Sequence, residues 1–102
     1  MKKPLVSVIV LNWNNKQDLE VCLNSLAKQT YPNYEVIVVD NASTDDSVNL
    51  VKKKFSKFRL IENKENQYFT KAHDASSKIA KGKYFLILNS DTELSEDTLE
   101  KM

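Results

Sequence analysis

Four short apolar runs separated by helix-patterned segments constrain this chain more than any other feature. They are Val6-Ser7-Val8-Ile9-Val10-Leu11, Glu35-Val36-Ile37-Val38-Val39-Asp40, a shorter stretch from Phe58 to Ile61, and Tyr84-Phe85-Leu86-Ile87-Leu88. Rich in β-branched residues and nearly continuous in hydrophobicity, such runs read as strands buried on both faces rather than strands with one wet side. Between the first two, Leu19, Cys22, Leu23 and Leu26 recur at spacings of three, four and seven, one apolar helical stripe. Asn14 or Asn15 is placed to cap that helix, because a short side-chain oxygen accepts the orphan backbone N–H groups of a first turn. Ser43 or Thr44 is placed to cap a second, with Asp45 and Asp46 in its positive first turn and Val48, Val51 and Phe55 on its buried face. A third helix is predicted from Thr70 to Ala80, stopped by Gly82 in a left-handed conformation. Ser95 is placed to cap a last one. Strands alternating with amphipathic helices predict an α/β fold: a mainly parallel, doubly wound sheet with helices on both faces. Right-handed crossovers make the doubly wound form the economical topology, and 3-2-1-4 is taken as the strand order without a residue pattern that dictates it.

Composition narrows the functional classes. The 102 residues suit one domain spanning 1–102, and an apolar fraction of 41% is enough for a core. Fifteen basic residues against fourteen acidic leave a net charge of +1, with no basic surface of the kind nucleic acid requires. A single cysteine, Cys22, cannot form an internal disulfide and fits a reducing, cytoplasmic setting. The first apolar run is too short for a signal peptide or a membrane span. One glycine cannot build a Gly-x-Gly-x-x-Gly turn or a phosphate-binding loop of the Walker type. His73 has no second His or Cys at zinc-ligand spacing, and the triple lysine at 52–54 reads as a solvated helix end. The last residues, Glu100-Lys101-Met102, fall inside a helical pattern, so a portion of a larger protein is expected.

The strands share a second property: each empties into polar residues. Asn12-Trp13-Asn14 follows the first, Asp40-Asn41 the second, Glu62-Asn63 the third and Asn89-Ser90-Asp91 the fourth. In parallel sheets these carboxyl ends lie on one edge, and ligands bind there at the point where the strand order reverses. Each residue also has a plainer explanation. Asn12 and Asn14 suit turns and caps, Trp13 could be an aromatic at the rim of the core, Asp40 could cap the following helix, and Asp91 could shape a turn. Four such ends together favour one polar site.

The runs Val8-Ile9-Val10-Leu11-Asn12-Trp13-Asn14, Leu23-x-Ser25-Leu26-x-x-Gln29-Thr30-Tyr31 and Val38-Val39-Asp40-Asn41-Ala42-Ser43-Thr44-Asp45 resemble the family 2 glycosyltransferases of GT-A fold. Asn89-Ser90-Asp91 is similar to that family's Asp-x-Asp metal motif, in the Asn-x-Asp form of its rhamnosyltransferase-like members. The resemblance implies a domain that binds a nucleoside-diphosphate sugar with Mg²⁺ or Mn²⁺ for inverting transfer to a saccharide or lipid-linked acceptor. It assigns Asn12, Trp13, Asn14, Asp40, Asn41, Lys71, Asn89 and Ser90 to the nucleotide and Asp91 to the metal. Asp40 would accept from a uracil or thymine edge and Trp13 would lie against the base, where stacking is worth about 1–3 kcal/mol. Asn89, standing where many members have Asp, adds no charge.

Two departures accompany the likeness. A segment that is glycine-rich in the family reads Tyr68-Phe69-Thr70-Lys71-Ala72-His73-Asp74-Ala75-Ser76 here. The acceptor site and catalytic aspartate, which the family carries beyond the metal motif, have no counterpart expected in this chain. Asp97 reads as a first-turn helix residue rather than as that base. A sheet lacking its further neighbours is expected to expose an edge through which copies could associate. The alternative to a transferase domain is a non-catalytic nucleotide-binding module. A receiver-type signalling domain would need an acidic pair after the first strand, where this chain has Asn12-Trp13-Asn14.

Overall fold

The computed structural model describes residues 3–64 and 80–101. Four parallel strands form one sheet in the order β3-β2-β1-β4, with β1 Val6–Asn12, β2 Tyr34–Asn41, β3 Arg59–Asn63 and β4 Tyr84–Asn89. Helix α1 (Lys16–Ala27) joins β1 to β2, α2 (Ser47–Lys54) joins β2 to β3, and the short α3 (Thr98–Lys101) follows β4. The parallel α/β architecture agrees with the sequence pattern, and the strand order is the expected one.

Alternation along β1 and β2 divides the core in two. Val6, Val8 and Val10 with Val36 and Val38 face α1 and α2, and pack with Leu19, Cys22, Leu23, Leu26, Val51 and Phe55. Leu99 of α3 joins this same cluster. Ile9, Leu11, Ile37 and Val39 face the other way, with Ile61, Ala80 and Ile87 against them. Full burial of each such aliphatic side chain is worth about 1.5–3 kcal/mol over exposure, so both central strands are firmly held. The helix predicted over 70–80 would cover the second face; its residues 70–79 lie outside the described residues. Among the described residues, no helix is long and apolar enough to cross a membrane.

Several local expectations are corrected. β4 is not fully buried: it is a sheet edge among the described residues, and Tyr84 and Phe85 are 52% and 41% exposed. Gly82 does not adopt a left-handed conformation. Its role is close approach to β1, since a Cβ there would lie 2.4 Å from Ser7 Oγ and 2.5 Å from the Ser7 nitrogen. Its N–H donates to that same Oγ, so only a residue without a side chain fits. Neither Ser43 nor Thr44 caps α2, whose N-cap is Asp46. Asp45 instead accepts from the backbone N–H and hydroxyl of Ser47 with one oxygen, and from the N–H of Lys16 with the other. One carboxylate thus serves the starts of two helices. Ser95 does not cap α3 directly; its hydroxyl meets Asp97 and Thr98, and the helix begins only at Thr98.

Candidate functional site

Parallel pairing brings the carboxyl ends of all four strands to one edge. In register Asn12 stands beside Asp40, Asp40 beside Glu62, Asn41 beside Asn63, and Leu11 beside Asn89. The strand order reverses between β1 and β4, and a crevice of about 290 Å³ opens there. Its lining is Leu11, Asn12, Trp13, Asn15, Asn41, Asn89, Ser90 and Asp91. This is where a ligand is held in open α/β sheets.

Six of the residues singled out in the sequence therefore meet in one place: Asn12, Trp13, Asn41, Asn89, Ser90 and Asp91. Trp13 is 54% exposed at the crevice, a large aromatic surface open to a planar ligand. Ser90 is buried and anchored by its N–H to the Leu11 carbonyl at 3.1 Å. The Ser90 hydroxyl accepts from Asn15 Nδ2 at 3.3 Å. Asn15 is the residue that sequence reasoning missed, because its position also suits a helix cap. It is the N-cap of α1, yet makes no side-chain cap bond and turns its amide toward Ser90 instead.

Two other candidates serve the walls. Asp40 is buried behind the crevice. Its Oδ1 accepts from Asn12 Nδ2 at 2.9 Å and from the Ser43 hydroxyl at 2.7 Å, and its Oδ2 from the Ser43 N–H at 2.9 Å. A carboxylate has about four acceptor positions, which leaves one on Oδ2. Asn14 adopts the left-handed region, φ 48°, a conformation Asn tolerates better than most residues. Its Oδ1 accepts from the Thr44 N–H at 2.6 Å and from the Asp45 N–H at 3.3 Å, knitting the loop after β1 to the loop after β2. Glu62 is exposed and paired with Lys52 at 3.2 Å, and Asn63 donates to Asn41 at 2.8 Å. Lys71 lies outside the described residues.

The charge in the crevice is simple. Asp91 is exposed and is the one carboxylate among the lining residues. Among the described residues no group of three His, Cys, Asp or Glu could hold a metal by itself. Burial, with a further contribution from the charge of Asp91, pushes the Cys22 thiol up to about 11, so this cysteine is an inert core residue. Asp97 is bonded to Lys101 and Ser95, which lower its carboxyl below the ordinary range. A carboxylate so stabilised is a poor general base.

The profile of the family described as "Glycosyl transferase family 2" matches residues 7–102. The chain belongs to glycosyl transferase family 2. This family 2 chain is 38% identical over 85% of its length to an Escherichia coli UDP-Glc:alpha-D-GlcNAc-diphosphoundecaprenol beta-1,3-glucosyltransferase, WfaP. It is 33% identical over 97% of its length to the putative teichuronic acid biosynthesis glycosyltransferase TuaG of Bacillus subtilis. It spans 35% and 40% of the lengths of these relatives. Its fold matches the structure of S. aureus TarS 1-349 in complex with UDP-GlcNAc, with a TM-score of 0.85 and 34% identity over 94% of this chain and 29% of that one. The mannosyltransferase PcManGT from Pyrobaculum calidifontis, in complex with GDP-Man and Mn²⁺, matches with a TM-score of 0.88 and 30% identity over 96% of this chain and 31% of that one. The sheet is that of the GT-A fold.

Proposed function

We propose that this chain is the donor-binding portion of a family 2 glycosyltransferase, and that its crevice receives a uridine or thymidine diphosphate sugar together with Mg²⁺ or Mn²⁺. The observation that carries the reading is the meeting of an exposed aromatic, four amides and one carboxylate at the β1/β4 reversal, in a family 2 chain. Trp13 lies against the base, and Asp40 accepts from its ring N–H with the remaining position on Oδ2. Asn12, Asn14, Asn41, Asn89, Ser90 and Lys71 complete the nucleotide side. The hard oxygen donors of Asp91 and Asn89 fit either cation. With Asp91 the one carboxylate in the lining, a bound cation would need further oxygens from the ligand itself. When bound, the cation would supply charge neutralisation for the departing diphosphate.

Binding and transfer separate in this reading. Among the crevice residues no carboxylate other than Asp91 is present to take a proton from an acceptor hydroxyl, and Asp97 is engaged by Lys101. Acceptor binding and the base belong to the remainder of a larger enzyme, whose acceptor is a saccharide or a lipid-linked sugar. A cytoplasmic setting fits the lone buried thiol, and self-association fits the exposed Tyr84 and Phe85 on the β4 edge.

The test uses the single tryptophan. Uridine diphosphate binding is followed through Trp13 fluorescence and calorimetry, with and without Mn²⁺, in the natural chain and in Asp91→Ala. Binding tightens with Mn²⁺ in the natural chain, and that gain disappears in the variant. Equal affinity with and without Mn²⁺ would overturn the metal assignment.

A further inference from the structure

The run Leu23-x-Ser25-Leu26-x-x-Gln29-Thr30-Tyr31 contributes nothing to the crevice lining, yet three of its polar residues hold the segment that leaves Asp91. Ser25, buried on α1, accepts the Leu94 N–H on its hydroxyl at 3.1 Å. Gln29, just past the helix and also buried, donates from Nε2 to the Ser95 carbonyl at 2.6 Å and accepts the Leu99 N–H on Oε1 at 3.0 Å. The Thr30 N–H donates to the Glu96 carbonyl at 2.8 Å. Leu99, which this clamp brings in, is 1% exposed and packs in the main core.

On the other side of Asp91 the chain is tied again. Ser90 bonds Leu11 and Asn15, and the Thr92 N–H donates to the Asn89 carbonyl at 3.1 Å. Asp91 is thus the exposed carboxylate on a short span between two anchors, one on β1 and the start of α1, the other at the end of α1. A span fixed at both ends holds the direction in which its side chains leave the backbone. Loosening the anchor at the end of α1 would free the backbone that carries Asp91, while Ser90 keeps its bonds to Leu11 and Asn15.

We propose that Ser25 and Gln29 are positioning residues for Asp91: they set where its carboxylate stands, and so control the metal-dependent part of nucleotide affinity without contacting the ligand. The inference rests on the metal role of Asp91 proposed above. A purely structural role would lower metal-free and metal-dependent binding together, because Trp13 and Asn12 would be disturbed as much as Asp91. A positioning role lowers only the second.

Gln29→Met keeps the length and burial of the side chain and removes its hydrogen bonds. Uridine diphosphate affinity is measured by calorimetry with and without Mn²⁺ in the natural chain, in Gln29→Met and in Ser25→Ala, the milder variant that guards against misfolding. Groups that orient a metal ligand typically contribute 10–100-fold to metal affinity, so the gain from Mn²⁺ is expected to fall about tenfold in Gln29→Met, and less in Ser25→Ala, while metal-free affinity stays within about twofold. A gain from Mn²⁺ as large as in the natural chain, or equal losses with and without metal, would overturn the positioning role alone. No gain from Mn²⁺ in the natural chain would instead defeat the metal role of Asp91, and this inference with it.

Discussion

Asn12 and Asp40 stand side by side at the ends of β1 and β2, and the Asn12 amide donates to the Asp40 carboxylate at 2.9 Å. Asn12 Oδ1 itself is buried with no partner among the described residues. The pair therefore fixes the carboxylate as the shared acceptor for Asn12 and for both donors of Ser43. Asp40→Asn offers one acceptor oxygen in place of two, so at least one buried donor loses its partner. Stability is expected to fall by about 1–3 kcal/mol in a urea titration. Under the proposed function, uridine diphosphate weakens in the same variant while inorganic pyrophosphate does not; equal weakening of both would mean that Asp40 acts on the loop rather than on the base.

Immediately beyond, Ala42 adopts φ 61°, a left-handed conformation that costs a residue with a Cβ roughly 1–2 kcal/mol. Ala42→Gly removes that cost and returns part of it through the greater freedom of glycine in the unfolded chain, about 0.4–1 kcal/mol. The variant is expected to be more stable by about 0.5–1 kcal/mol, which thermal unfolding reads as a rise of a few degrees. A lower melting temperature would show that the surrounding loop, and not the Cβ, sets the strain.

Acid should loosen the fold at two identifiable carboxylates. At Glu35, burial raises the pKa, but the Ser7 hydroxyl at 2.6 Å, the Lys81 N–H at 2.7 Å and the charges of Arg59 and Lys81 together bring it below its ordinary 4.5. At Asp45, burial likewise raises the value, and the bonds from Ser47 and Lys16 more than offset it, taking it below 3.8. Both folded values are depressed, so both contribute stability that is present above the ordinary pKa and lost as pH falls through the folded one. Urea midpoints measured from pH 7 to pH 3 should drop more steeply in the natural chain than in Glu35→Gln combined with Asp45→Asn. Parallel profiles would remove these two groups as the source.

Much of the architecture is legible in the amino-acid sequence. A run such as Val6 to Leu11 records its two-sided burial in its own composition, and the spacing of Leu19, Cys22, Leu23 and Leu26 records one buried helix face. Parallel pairing then follows from alternation alone, and with it the gathering of Asn12, Trp13, Asn41, Asn89, Ser90 and Asp91 at one edge. Apart from the burial of β4, which a sheet edge exposes, the misreadings are choices of partner. Ser43 has the chemistry of a helix cap, but Asp40 holds its hydroxyl and N–H. Gly82 has the composition of a helix stop, but Ser7 leaves no room for a side chain.

What the sequence determined by itself is therefore the four strands, the helices that join the first three and the edge on which polar residues collect, because burial periodicity is a local property of the chain. What only the tertiary structure decided is which polar atom meets which. Asn12 finds Asp40 across 28 positions, Leu99 finds Gln29 across 70, and Asn15 finds Ser90 across 75. A hydrogen bond is directional and reaches only about 3 Å, so its partner is fixed by how strands and helices pack in space, and no local pattern encodes that.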